Sequence, residues 1–241
     1  MVTNHRPSAS VVVARWASRP GKAVIFDFNG TLSDDEPILL HLFSDMFLEH
    51  LGWRLEPNYY FSVLAGRSDR EIIEAVVSEQ RGSDPTLVEN LLAERRVRYF
   101  ELVARESPIR DETIKLVEFL TLSRVPLGIV TGAQRPDVDY VLAGRGLTTS
   151  FPTIISEEDV AHGKPDPEGF RIAAAAMQVS PDSVLVFEDS IYGIRAAKAA
   201  GMYCIAVTGT RTAGDLSPAA DAVVDHLDTQ LFTILSGGID D

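Results

Sequence analysis

Apolar positions change period along this chain, and the changes divide it. Lys22–Phe28 (KAVIFDF) is a short β-branched and aromatic run that reads as a strand, ended by the turn signal Asn29-Gly30-Thr31. Then Ile38, Leu39, Leu42, Phe43, Met46, Phe47 and Leu51 recur at helical spacing, so Pro37–Leu51 is predicted as a helix stopped by Gly52. Asp69–Gln80 and Pro85–Glu106 read as two more helices, with Pro85 suited to a first turn.

From Asp111 onward helix alternates with strand. Helices are expected over Asp111–Arg124, Pro136–Gly144, Pro167–Val179 and Ile191–Ala200, and strands over Pro126–Val130, near Ile154, over Val184–Phe187 and Tyr203–Val207, and near Val223. Such alternation predicts an α/β fold, a doubly wound, mostly parallel sheet covered on both faces. The all-helical stretch interrupts it after the first strand. The expected division is an α/β core from 22–35 and 109–241, a helical cap inserted at 36–108, and a flexible N-terminal extension at 1–21 outside the main fold.

Composition narrows the partners. Net charge is −13, with 22 Lys plus Arg against 35 Asp plus Glu, so the chain as a whole repels nucleic acid and anionic membrane. No apolar run approaches the roughly 20 residues of a membrane span. The single cysteine, Cys204, forms no internal disulfide and reads as buried packing, which fits a reducing cytoplasm. A monomer or weak homodimer is expected. The run Glu94–Arg98 (ERRVR) reads as a solvated helix face, and His162 as a solvated loop residue.

Ligands of open α/β sheets bind beyond the carboxyl ends of the strands. Asp27-Phe28-Asn29, Thr131-Gly132 and Glu188-Asp189 fall at three such ends, and Lys164 follows the strand near Ile154 in AHGKPDP. Together they supply what phosphoryl transfer needs: a carboxylate nucleophile, an oxygen-rich Mg²⁺ site, a fixed cation and hydrogen-bond donors. Asp27 is the nucleophile candidate. Lys164 neutralises charge, Thr131 and the turn amides at Gly30 and Thr31 donate, and Asp189 with Glu188 completes the metal site.

DFNGTL at Asp27–Leu32, Thr131 in IVTG, Lys164 in GKPDP and FEDS at Phe187–Ser190 resemble, in order, the four motifs of the haloacid dehalogenase (HAD) superfamily. The likeness spans about Ala23 to Asp228. EDSIYGIRAAKAAGM and SDDEP at Ser33–Pro37 are similar to its β-phosphoglucomutase-like and phosphoglycolate phosphatase-like branch. The resemblance implies a Rossmann-like core, a helical cap, and a Mg²⁺-dependent phosphatase of a small phosphorylated metabolite acting through an aspartyl-phosphate. By it, Asp27, Asn29 (through its carbonyl), Glu188 and Asp189 are metal ligands. Asp27, Asn29, Lys164 and Thr131 occupy the catalytic positions. Gly30 and Gly132 join Arg67, in the cap loop Gly66-Arg67-Ser68, and Arg135 as substrate-contact candidates.

Two positions depart from the family pattern. Asn29 stands where an acid–base Asp is usual, and an amide neither gives nor takes a proton near neutral pH. The missing assistance is worth about 10²–10⁴-fold. Leu39 stands where branch members often carry His, which disfavours the mutase alternative. A phosphometabolite-binding protein without turnover is the non-enzymatic alternative, and a phosphotransferase the second enzymatic one.

Overall fold

The computed structural model describes residues 7–105 and 107–227. Among these residues six strands, all parallel, form one sheet in the order β3-β2-β1-β4-β5-β6. They are β1 (Ala23–Phe26), β2 (Leu127–Val130), β3 (Thr153–Ile155), β4 (Val184–Glu188), β5 (Tyr203–Val207) and β6 (Ala222–Val224). Side chains alternate across the pleat. Val24 and Phe26 therefore enter one apolar cluster while Ala23 and Ile25 enter the other.

Both faces are covered, as near-continuous apolar strands require. On one lie α1 (Ala9–Ala17), α6 (Asp111–Leu122) and α7 (Arg135–Gly144); on the other lie α8 (Glu168–Ala176), α9 (Ile191–Ala199) and α10 (Ala213–Leu216). Between β1 and β2 the chain inserts α2 (Glu36–Leu51), α3 (Pro57–Tyr59) with a π-helical turn at Tyr60–Leu64, α4 (Asp69–Arg81) and α5 (Pro85–Val103). α2 and α4 both pack on α5. Their apolar side chains are continuous with the Phe26 face of the sheet. Gly52, in the left-handed conformation, ends α2.

The N-terminal expectation needs correction. Residues 9–17 are not an extension outside the fold: they form α1, which packs against β4, β5 and β6. Val12, Val13 and Trp16 are buried, and Trp16 Nε1 donates to Ala23 O (3.1 Å) and Ser183 O (3.0 Å). A buried indole needs such a partner, and these two tie α1 to the start of β1 and to the approach to β4. Residues 1–6 lie outside the described part.

The solvated reading of Glu94–Arg98 also fails at one residue. Arg95 is only 2% exposed. Its Nε lies 3.0 Å from Asp69 at the start of α4, and its Nη1 meets Asp137 of α7. Neighbouring Arg96 reaches Gln134, and Phe100 stacks on Tyr140 at 4.4 Å. The inserted helix α5 is thereby fastened to the α/β layer.

Candidate active site

β1 is central, and Asp27 follows its last residue with its N–H on Phe187 O of the adjacent β4 (2.9 Å). Glu188 ends β4 and Asp189 follows it, so the parallel register of β1 and β4 brings three carboxylates to one sheet edge. Oxygens of Asp27, Glu188 and Asp189 lie within 4.8 Å of one another, and all three residues are buried. Lys164, from the loop before α8, bridges the group. Its Nζ donates to Asp27 Oδ1 and, at 2.6 Å, to Glu188 Oε1.

The electrostatics follow from crowding. Burial raises the Asp27 pKa to about 7; Lys164 opposes that rise and Glu188 adds to it. Burial, then Glu188 and Asp27, push Asp189 well above the usual carboxylate range. Burial alone would lower Lys164, but its two carboxylate partners hold it above its ordinary value. Three buried carboxylates sharing one ammonium leave a charge deficit that a divalent cation would fill. An all-oxygen donor set suits Mg²⁺.

Two glycines make this packing possible. A Cβ at Gly30, which also has φ +74°, would lie 2.2 Å from Asp189 Oδ2. A Cβ at Gly193 in α9 would lie 1.6 Å from Glu188 Oε1. Glu188 is pinned on its other oxygen by Ser190 N (2.7 Å) and Ser190 Oγ (2.9 Å), while Ser190 Oγ caps α9 by accepting from Gly193 N.

Thr131, just past β2, lines the small cavity over Asp27. Its Oγ1 accepts from Ala133 N (3.0 Å), which leaves the hydroxyl hydrogen to donate elsewhere. Gly132, Arg67 and Asn29 line the same cavity. No carboxylate among the described residues pairs with the Arg67 guanidinium, in contrast to Lys164.

Other expected contacts are not brought together. The Arg135 guanidinium pairs with Asp139 one turn along α7 (2.9 Å) and is absent from the cavity walls. The i,i+4 helical spacing accounts for that pairing. The amides of Gly30 and Thr31 are turned inward. They donate to Ser33 O (2.7 Å) and Phe28 O (3.3 Å) within the turn. Gly30 serves by making room for Asp189, not by donating.

Some site residues escaped the sequence reading. Glu36, at the start of α2, is a buried wall of the Asp27 cavity. Burial pushes its carboxyl up to about 8, against the Tyr60 hydroxyl that donates to it at 2.7 Å. Asp35, adjacent, accepts from Asn29 Nδ2 (2.8 Å) and from the Tyr99 hydroxyl. Leu39 lines the Asp27 cavity, where a His would have offered a base.

A second cavity of about 430 Å³ adjoins this one and shares Gly66, Thr131, Gly132 and Lys164 with it. Its walls include Ser68, Arg70, Glu71 and Glu74 from the α4 side and Gln134, Glu157, Glu158, His162 and Asp166 from the other. His162 is exposed beside Glu168 (3.2 Å).

A family model described as haloacid dehalogenase-like hydrolase matches residues 22–201. The chain belongs to this family. In this hydrolase Asp27, Thr131, Lys164 and Asp189 line one cavity at the carboxyl edge of the sheet. The chain is 33% identical over 199 residues to validoxylamine A 7'-phosphate phosphatase of Streptomyces hygroscopicus subsp. limoneus, covering 82% of this chain and 91% of that protein. It is 30% identical over 187 residues to fructose-1-phosphate phosphatase YqaB of Escherichia coli, covering 76% and 95%. Among solved structures, CbbY from Rhodobacter sphaeroides in complex with phosphate superposes with a TM-score of 0.77 at 27% identity, over 86% of this chain and 94% of that one. Among the described residues no helix is long and apolar enough to cross a membrane.

Proposed function

We propose that this hydrolase is a Mg²⁺-dependent phosphatase of a small phosphorylated carbohydrate or related polyol, acting through an aspartyl-phosphate on Asp27. The observation that carries this reading is the Lys164 bridge between Asp27 and Glu188, with Asp189 alongside, at the floor of a cavity open to a larger cleft.

Asp27, Glu188, Asp189 and the Asn29 carbonyl would hold the ion. When bound, Mg²⁺ supplies positive charge that lets the Asp27 carboxylate and a phosphate dianion approach each other. Lys164 keeps Asp27 ionised and oriented, and steadies the equatorial phosphoryl oxygens. The Thr131 hydroxyl donates to one of those oxygens, and Arg67 supplies the unpaired cation on the opposite, α4 side. Asp27 attacks phosphorus as the bond from phosphorus to the sugar oxygen breaks, and that oxygen takes its proton from water; a water molecule then cleaves the acyl phosphate and regenerates the carboxylate. Asn29 cannot protonate the leaving oxygen, so leaving groups of low basicity are favoured.

The larger cleft carries Glu71, Glu74, Glu157, Glu158 and Asp166. Its cations are already engaged, Arg70 by Glu89 (2.8 Å) and Lys164 by the active-site carboxylates. That lining suits hydroxyl or amine groups better than a second phosphate. The Streptomyces and Escherichia relatives are named for validoxylamine A 7'-phosphate and fructose-1-phosphate, which points the same way. Leu39 supports a phosphatase over a phosphomutase, because no base faces the cavity there.

The test is phosphate release from a panel of sugar and polyol phosphates, with and without Mg²⁺. Mg²⁺-dependent release that Asp27→Ala abolishes is expected. Release that survives Asp27→Ala would refute the mechanism.

A further inference from the structure

Asp35 stands at the N-cap of α2, where an aspartate ordinarily accepts the helix's own N–H groups. It makes no such bond. Its fully buried carboxylate turns instead toward Asn29, and Oδ2 accepts both Asn29 Nδ2 (2.8 Å) and the Tyr99 hydroxyl. The buried Ser33 side chain also bears on this carboxylate. A good capping residue has thus been diverted from its helix.

The diversion fixes a direction. An amide has a donor end and an acceptor end, and an oxygen already receiving two donors selects the donor end. Asn29 therefore gives Nδ2 to Asp35, which leaves its Oδ1 on the other prong, and the residue lines the cavity over Asp27. We propose that Asp35 is a positioning residue that holds the Asn29 amide with its carbonyl oxygen toward the phosphoryl site, where it orients the water that cleaves the aspartyl-phosphate. The proposal rests on the phosphatase reading above.

The step balances without a protein base. The water oxygen bonds to phosphorus as the bond from phosphorus to the Asp27 oxygen breaks. The electron pair of that bond stays on the Asp27 carboxylate. Both water protons end on the product phosphate, one of them passing to a phosphoryl oxygen during attack. The Asn29 oxygen accepts a hydrogen bond throughout and is never protonated. Tyr99, from α5, holds Asp35 in place for this task.

The experiment compares kcat and KM, on the best substrate of the panel, for the wild type, Asp35→Val, Asp35→Asn, Asn29→Asp and the reciprocal pair Asn29→Asp with Asp35→Asn. In parallel, ¹⁵N NMR follows the Asn29 side-chain amide, identified as the signal lost in Asn29→Asp. Asp35→Val is expected to lower kcat about tenfold or more with KM unchanged, the scale of a lost orienting contact. Asp35→Asn, whose amide oxygen still accepts, should retain most of kcat. The wild-type Asn29 amide should exchange slowly with solvent, and quickly in Asp35→Val. Asn29→Asp alone faces one carboxylate with another, so the reciprocal pair should exceed it in kcat.

Wild-type kcat in a folded Asp35→Val, an Asn29 amide signal unchanged by that substitution, or equal kcat for Asn29→Asp in both backgrounds would each overturn the proposal. If Asp35→Val does not fold, the Asn29→Asp comparison decides. The amide signal reads the contact without turnover. Loss of Mg²⁺-dependent release in Asp27→Ala separately tests the phosphatase reading.

Discussion

Replacing Gly193 by alanine sets helix propensity against site packing, and the two predict opposite signs. Gly193 is the third residue of α9 and has an ordinary helical backbone. In a helix interior, Gly→Ala stabilises by about 1 kcal/mol. Here the added Cβ would stand 1.6 Å from Glu188 Oε1 and 2.0 Å from Glu188 Cδ. A glutamate tip usually swings away at little cost. This one is fully buried and held by Lys164 Nζ (2.6 Å), Ser190 N (2.7 Å) and Ser190 Oγ (2.9 Å). Moving it strands a buried charge, and breaking a buried ion pair costs about 3–5 kcal/mol.

Subtracting the helix gain leaves a net loss of about 2–4 kcal/mol. For a chain of this size each kcal/mol lowers Tm by about 2–4 °C, so a fall of about 4–16 °C is expected. Thermal melts of the metal-free protein measure it directly. Gly144→Ala is the control, because it ends α7 and nothing lies within 4 Å of its new Cβ; it should melt at or slightly above the wild type. Gly193→Ala should also lose phosphate release, because Lys164 loses one of its two anchors. A Gly193→Ala protein that melts no lower than the wild type would show that Glu188 is not pinned as described.

Asp27 and Glu36 are raised by burial to about 7 and about 8, so the folded state binds more protons than the unfolded one between roughly pH 4 and 8; stability without metal should be highest at low pH within that window, fall as pH rises through it, and be restored most by Mg²⁺ at its upper end, as read by thermal melts with EDTA or Mg²⁺. Trp16→Ala removes a fully buried indole and its two hydrogen bonds, and urea unfolding should show a loss of about 3–5 kcal/mol. Arg95→Ala leaves Asp69 and Asp137 buried without their cation and should cost about 3–5 kcal/mol in the same assay.

The strands and the motif residues were legible because each carries a local signal. The β-branched runs mark β1, β2, β4 and β5 within a residue or two; Asp27, Thr131 and Glu188-Asp189 sit at the ends of β1, β2 and β4, and Lys164 lies in the loop between β3 and α8. The sheet order places those ends together, so Asp27, Thr131, Lys164 and Asp189 could be gathered from sequence alone. α1 was not legible. Its apolar face is little more than Val12, Val13 and Trp16, a single turn among small and polar residues, and what buries it are strands far along the chain. The turn amides of Gly30 and Thr31 were misjudged because a tight turn can spend its donors on its own carbonyls.

Arg95 did carry a signal. Leu91, Arg95, Tyr99 and Val103 recur every fourth residue, so Arg95 stands inside the buried stripe of α5. Its neighbours Arg96 and Arg98 made the segment read as a charged face, and Asp137, 42 residues away, gives no local hint of the pairing. That pairing bears on how substrate reaches Asp27. Along the α5 edge the inserted helices are fastened by the buried Arg95–Asp137 pair, by Arg96 on Gln134 and by the Phe100–Tyr140 stack. Separating that edge would leave the buried Asp137 carboxylate without its cation, while Arg95 stays with Asp69 on the inserted helices. The opposite edge meets the core through Gly66 and Ser68, packed on Ser190 and Gly132, and borders the cleft of about 430 Å³. Opening at Gly66–Ser68 disturbs van der Waals contacts and the Ser68–Glu157 contact, not a buried ion pair. The lower-cost route to Asp27 therefore runs past α4 and its Arg70, Glu71 and Glu74, which line that cleft.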